Sequence, residues 1–252
     1  MRFIECQQGT SEWLALRAGL ITASCFSDAI STIGGLNEQQ QKYVELVKAG
    51  LSEKDAAAGA GYKGAPSADI IKRALRDEST VEPSDTAKRY AADLAFERIN
   101  GGPFQEPANA WALERGHEME ALARMHYEAR TQAFVTEAGL CIDADDVFAY
   151  SSDGLVDNDG LIEIKSPIDS IKIMDMWRTG DVSEYLCQIQ GGLWLTARKY
   201  CDFIMYAPML KNVGKDLYVK RILRDDDFID KMAAQLADFE GLVKQYEAIL
   251  RA

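Results

Sequence analysis

Residues 151–167, SSDGLVDNDGLIEIKSP, set an aspartate ahead of a tight polar turn and then place a glutamate and a lysine inside a strand that otherwise reads as core. No other stretch limits the fold as sharply. DNDG between two strand-like runs is a hairpin signal, a type I turn closed by Gly160 in the left-handed conformation. The register this predicts sets Asp157 opposite Leu161, Leu155 opposite Glu163 and Asp153 opposite Lys165. Strand alternation sends Ile162 and Ile164 to the core and leaves Asp153, Glu163 and Lys165 together on the other face. Two carboxylates and an amine beside a core strand are costly unless their charge is compensated. An Asp–Lys cross-strand ion pair at a sheet edge is one compensation, and it is worth little. A hard divalent cation explains more. Mg2+ takes oxygen ligands from a few carboxylates and keeps several waters, and the lysine then has a role in activating water or neutralising charge on a phosphate.

The rest of the chain reads as a mixture of helices and strands. SEWLALRAGLITASCFSDAI, 11–30, predicts a helix with Ser11 as N-cap and, after Gly19, a second helix beginning at Thr22 or Ser24. Residues 34–85 shift to Gly, Ala, Gln, Ser and charge, and break around Gly50, Gly59 and Gly61 into two or three short helices, as an inserted module would. A helix over 87–100 ends at NGGP, and a long one runs from Asn109 to about Arg130 with Gly116, Glu120, Ala123 and Tyr127 on one stripe. Small residues beside Glu120 allow a ligand or other backbone to come close, although a lone glutamate on a helix is more often simply solvated. Strand signals cluster in QAFVTEAGLCI, VFAYSSDGLV, LIEIKSP, YCDFIMYAP and DLYVKRIL, interrupted by a helix at 183–197. Phe228, Met232, Leu236, Phe239, Val243, Tyr246 and Leu250 then recur at helical spacing over 226–250. This order describes an α+β or mixed α/β domain.

At 252 residues and 47% apolar content the chain can bury the core of a single domain. It has no apolar run of membrane-spanning length, and MRFIECQQGTSEW lacks the basic and apolar regions of a secretory signal, so the expected location is the cytoplasm, with no membrane partner. Five scattered cysteines and the histidines His117 and His126 lack the spacing of a structural zinc or iron–sulfur site and read as free thiols and ordinary imidazoles. A net charge of −12 argues at first against a polyanionic partner. Carboxylates gathered to hold divalent cations make a chain acidic, however, and bound metal reverses the local sign.

Asp153, Glu163 and Lys165 spell D-(x)9-E-x-K, which resembles the signature of the PD-(D/E)xK nuclease superfamily. Five ordered blocks sharpen the match. QGTSEWLALRAGLITAS, ERGHEMEALAR, SSDGL, IEIKSP and YLCQIQGGLWLTA resemble the phage lambda exonuclease and YqaJ-type viral recombinase family. The resemblance implies a restriction-endonuclease-like core, a central mixed sheet flanked by helices, in one domain over 1–252 interrupted by the helical insertion 34–85. Asp153 and Glu163, with the main-chain carbonyl of Ile164, would ligate the catalytic metal. Glu120 would complete a site for a second ion, and Lys165 would assist the attacking water. Arg17, Ser24 and Ser151 fall at the positions that bind the 5′-phosphate of the trimmed strand, and Gln188 of the Q-x-Q lies beside the centre.

The implied cofactor is Mg2+, two ions, with Mn2+ as a substitute. The implied activity is 5′→3′ degradation of one strand of double-stranded DNA from its ends, leaving a 3′ overhang for recombination by strand annealing. A homotrimer and a single-strand annealing protein are the implied assembly and partner. Ser152 stands where proline is usual, which leaves metal chemistry untouched, whereas the insertion bears on the geometry of the DNA entrance. Two other readings stay open. One is an endonuclease or repair nuclease with the same centre and no need of an end. The other is a DNA-binding or packaging adaptor, because LVKAGLSEKDAAAGAGYKGAPSADIIKRAL resembles the helix-turn-helix of phage terminase small subunits, with Ala57 and Gly61 at A-x-x-x-G spacing and Ile70 and Ile71 in a second helix. A helical clasp between subunits accounts for the insertion equally well.

Overall fold

The structure, a computed structural model, describes residues 1–66, 68–78, 81–104 and 110–252, with backbone alone over 110–114. The chain divides into two compact units, Met1–Ile30 with Arg89–Ala252, and Ser31–Lys88. The larger unit begins with β1 (Arg2–Ile4), α1 (Ser11–Arg17), β2 (Ile21–Thr22), a 3-10 turn at Ala23–Cys25, and α2 (Phe26–Ala29). The smaller unit holds β3 (Thr32–Ile33), α3 (Glu38–Lys48), α4 (Glu53–Gly59), α5 (Asp69–Leu75) and β4 (Glu82–Pro83). Helix α6 (Asp85–Asn100) leads back into the larger unit, which continues with α7 (Ala110–Thr131), β5 (Val135–Thr136), β6 (Leu140–Ile142), β7 (Phe148–Ser151), β8 (Gly154–Val156) and β9 (Gly160–Lys165). Then come α8 (Ser170–Thr179), α9 (Leu186–Thr196), β10 (Tyr200–Tyr206), β11 (Leu217–Leu223) and α10 (Asp226–Arg251). Asn109, the expected start of the long helix, lies outside the described residues. Among the described residues no helix is long and apolar enough to cross a membrane.

The smaller unit packs Tyr43, Val44, Ala56, Ala57, Ile71 and Ala74 into a core of its own. Both buried side chains of α4 are alanine, so that helix buries little apolar area. Helix α3 opens with a reciprocal cap between Asn37 and Gln40, and Ser52 caps α4. The connection from α4 to α5, residues 60–68, is longer than the roughly 3–4-residue turn of a helix-turn-helix.

In the larger unit two sheets form, ordered β1-β6-β7-β2 and β11-β10-β9-β8-β5. After α7 the chain crosses between them twice, from β5 to β6 and from β7 to β8. VFAYSSDGLV and QAFVTEAGLCI, each read as one strand, are two apiece, and Ser152–Asp153 is the step from β7 to β8. Ser152 fixes that step locally: its hydroxyl donates to Gly154 O at 2.8 Å and accepts from Gly154 N at 3.1 Å. No side chain fits at Gly154, where a Cβ would lie 2.3 Å from Val135 Cγ1.

The hairpin differs from its expected register. Gly154 pairs with Ile162, Leu155 with Leu161 and Val156 with Gly160, a shift of two residues. Asp157, with φ 47°, takes the left-handed position in the loop instead of Gly160. Gly160 is needed for another reason, because the Tyr200 ring sits 2.3 Å from where its Cβ would be. A two-residue shift leaves every side chain on its predicted face. Ile162 and Ile164 are accordingly buried with Ala123 and Tyr127 of α7 in one core, each contributing about 1.5–3 kcal/mol of burial. Extending the ladder by one residue sets Asp153 beside Glu163. Strand β9 pairs parallel with β10, and the crossover between them contains α8 and α9, the latter packed against both strands.

Candidate active site

A cavity of about 300 Å³ lies where β9 ends and β7 steps to β8. Arg17, Ser24, Glu120, Ser151, Asp153, Glu163, Ile164, Lys165 and Gln188, all nine residues expected at the site, line it. Helix α7 covers the Ile162/Ile164 face of the sheet and brings Glu120. Helix α9, reaching Glu163 from the other face, brings Gln188.

Glu163 is 1% exposed, and a carboxylate survives there only with dense hydrogen bonding. Its Oε1 accepts from Lys165 Nζ at 2.8 Å and Gln188 Nε2 at 2.6 Å, and its Oε2 from the Tyr150 hydroxyl at 3.0 Å. Asp153 Oδ2 accepts from the Ile164 N–H at 2.6 Å. Burial first, then the charges of Glu163 and Glu120, pushes the Asp153 carboxyl well above the usual carboxylate range, while Lys165 and the Ile164 N–H oppose this more weakly. Burial works against the Lys165 ammonium, but Glu163 and Asp153 outweigh it and hold its pKa above the ordinary lysine value. Tyr150 is kept a neutral donor, by burial above all and then by the Glu163 charge.

These groups suit a hard divalent cation by donor chemistry. Three carboxylates share one cavity with Ile164, and the charges of Glu163 and Glu120 add to the proton affinity of Asp153, as in a site short of positive charge. Among the described residues no three His, Cys, Asp or Glu side chains close around a single point. The oxygens are turned instead onto Ile164 N, Lys165, Gln188 and Tyr150. A second acid buried on this sheet, Asp202, is engaged by the Tyr127 hydroxyl at 2.6 Å and by Arg221 Nε and Nη2 at 2.8 and 2.7 Å. The two glutamines of Q-x-Q likewise divide: Gln190 bonds Leu223 O and Asp225 N and is structural.

Tyr150 was not singled out in the sequence. It reaches Glu163 because Gly192 leaves room, a Cβ there falling 2.6 Å from the ring. Gly192→Ala is expected to gain helix propensity but lose more through overpacking, about 1–3 kcal/mol, and to lower cleavage by displacing the Tyr150 donor. Thermal melting and nuclease rate measured together check both effects.

At the other end of the cavity Arg17 lies across Trp13, its guanidinium carbon 4.3 Å from the ring centroid, as the i, i+4 spacing on α1 permits. Its Nη2 donates to Thr22 Oγ1 at 3.1 Å, and Thr22 Oγ1 is 3.3 Å from Ser24 Oγ. Trp13 Nε1 donates to Ser151 Oγ at 2.8 Å. Trp13 and Thr22 thus tie the predicted trio together. The sequence alone assigns Trp13 only a place in the first helix and Thr22 a possible helix start. The cap of α1 is also corrected, from Ser11 to Thr10, which accepts from Trp13 N, and Ile21–Thr22 is a strand paired with β7. Helix α6 fixes this loop: Glu97 accepts from Gly19 N at 2.7 Å, Arg98 donates to Gly19 O at 2.8 Å, and the Tyr90 hydroxyl accepts from Thr22 N at 3.1 Å.

A mixed sheet flanked by helices, with D…E-x-K at the end of its central strand, is a PD-(D/E)xK nuclease fold. Residues 12–199 match the model of the YqaJ-like viral recombinase domain, and the chain belongs to that family. Among solved structures it resembles an alkaline exonuclease (LHK-Exo) from Laribacter hongkongensis, with 26% identity, TM-score 0.67 and 96% of each chain covered. The structure of LHK-Exo in complex with dAMP gives 27%, 0.70 and the same coverage. A phage related exonuclease from Haemophilus somnus 129PT, at 15% identity and TM-score 0.59 over 92% of this chain and 96% of that one, shares the fold. Comparison with curated proteins yields no significant match.

Proposed function

We propose that this protein is a metal-dependent exonuclease that degrades one strand of linear duplex DNA in the 5′→3′ direction and leaves a 3′ overhang for annealing. One observation carries the reading. The carboxylate–lysine centre and Arg17, which makes no ion pair among the described residues, share a cavity small enough for a single nucleotide. A nuclease cutting within a strand has no need of a cationic pocket one nucleotide from its centre. The complex of LHK-Exo with dAMP supports occupancy by a nucleoside monophosphate.

Asp153, Glu163 and the Ile164 carbonyl would hold Mg2+, or Mn2+ in its place, with Glu120 toward a second ion. Such ions lower the pKa of water and stabilise charge building on the phosphoryl oxygens. Lys165, held charged by Glu163, supplies a fixed positive group to the same oxygens. Gln188 and Tyr150 keep Glu163 in one orientation. Arg17, with Ser24 and Ser151, grips the 5′-phosphate by charge-assisted hydrogen bonds. Every one of these residues lies in the larger unit, so we read the chain as one nuclease domain with Ser31–Lys88 inserted. The family resemblance extends the proposal to a homotrimer around the duplex, working with a single-strand annealing protein.

Linear duplexes labelled at either end, with and without 5′-phosphate, and a closed circle, each incubated with Mg2+ or EDTA, test the reading. Release of mononucleotides from 5′ ends only, with Mg2+ only, is expected. Cutting of the circle would overturn it. Arg17→Ala should reduce the preference for 5′-phosphate over 5′-hydroxyl ends by roughly 10- to 100-fold, read as a ratio of kcat/KM values. An unchanged ratio would remove Arg17 from the pocket.

A further inference from the structure

Resting on the exonuclease reading, we propose that the strand still to be degraded leaves the centre through a second cavity, where Arg115 binds the phosphate immediately 3′ of the scissile one. That cavity, of about 380 Å³, shares Glu120, Ile164 and Lys165 with the first and adds Arg115, Ser166 and Ile168. The two cavities meet at the catalytic lysine, and their remaining residues are disjoint. A strand whose 5′-phosphate sits on Arg17 and whose first phosphodiester sits on the carboxylates therefore has its second phosphodiester on the Arg115 side.

The chemistry there suits an anion. Arg115 donates one Nη1 hydrogen bond to Ser166 O at 2.8 Å and, among the described residues, pairs with no carboxylate. Among the described residues nothing else engages its guanidinium fork, which suits a phosphate. Ser166 lines the same cavity, and its buried hydroxyl has no hydrogen-bond partner among the described residues. Ile168, 68% exposed at the rim, offers an apolar edge to a sugar or base. The alternative exit is less favourable. A larger cavity of about 710 Å³ also touches Glu120 and Asp153, but it adds Glu5 and Glu137, and its Arg124 is already paired with Glu137. A polyanionic backbone would be repelled there and attracted on the Arg115 side.

The test uses 5′-phosphorylated duplexes in which one phosphodiester of the degraded strand is a neutral methylphosphonate, at the second, third or fourth linkage. The rate of release of the first nucleotide is measured for each. For the wild type, neutralising the second linkage should slow release by roughly 10- to 100-fold, and the third and fourth linkages should matter much less. Arg115→Ala should slow release on all-phosphate DNA by a similar factor and be indifferent to the neutral second linkage, with Arg115→Lys in between. A merely structural Arg115, acting through Ser166 O, would slow every substrate alike, and its loss would multiply with that of the neutral linkage; that outcome overturns the proposal. The wild-type series alone decides the matter if the variants fail to fold. Wild type that trims linear duplex but ignores the second linkage overturns the subsite only. Wild type that releases nothing overturns the exonuclease reading with it.

Discussion

Glu163→Gln is expected to lower the rate of nucleotide release by at least about a thousandfold while leaving the fold in place. Glutamine keeps the volume of the buried side chain, and Lys165 retains Gln188 Oε1 at 3.2 Å as an acceptor. What disappears is the one anionic charge that the surrounding donors are arranged to hold. Divalent-ion affinity should fall in parallel, measurable by calorimetric titration with Mn2+. Asp153→Asn should behave alike. A folded Glu163→Gln protein, shown by an unshifted melting transition, that still trims DNA at near the wild-type rate would rule out the assignment of the centre.

Lys165→Met is expected to be almost as damaging to turnover, by about a hundred- to a thousandfold, through a different cause. On the proposed reading the amine acts on charge that develops during reaction, so kcat should fall with KM little changed. Its effect on metal affinity should have the opposite sign to that of Glu163→Gln. Removing a cation that sits 2.8 Å from Glu163 leaves the carboxylates more attractive to a divalent ion. Breaking a buried pair costs up to about 3–5 kcal/mol, moderated here because Tyr150 and Gln188 still donate to Glu163. A Mn2+ titration showing weaker binding in this variant would place Lys165 among the structural supports of the site and leave its role in turnover without basis.

The chemistry-bearing strand was legible because its charges break an apolar alternation, and alternation survives a two-residue error of register. Asp153, Glu163 and Lys165 stayed on one face although their opposite numbers were misassigned. The turn itself was read less well: Asp157 rather than Gly160 is left-handed, since the glycine is reserved for the Tyr200 ring. The changes of sheet at Ser152–Asp153 and between β5 and β6 were invisible, because strand signals carry no label for the sheet they join. Helix α8 was missed. Its Ile171 and Ile173 are β-branched, and its start depends on the Asp169 side chain, which accepts from the backbone of Ile171 and Lys172. Trp13 passed as an ordinary member of a helix, Thr22 as a possible helix start and Tyr150 as an ordinary member of a strand. Their polar atoms find their partners 138, 5 and 13 positions away in sequence, and only the contact with Thr22 is local enough for spacing to suggest it.

The crossover between β9 and β10 has a consequence for when this chain becomes dangerous. Parallel pairing requires residues 166–199 to be complete before β10 can dock, and such non-local pairings form late in folding. Gln188, on the same crossover, and Trp13, near the chain start, both belong to the cavity. A chain growing from its N-terminus therefore carries Asp153, Glu163 and Lys165 well before it can hold Glu163 in its working orientation. On the proposed reading, degradative capacity is a property of the finished fold, and a synthesis arrested short of the crossover is expected to release a fragment without nuclease activity.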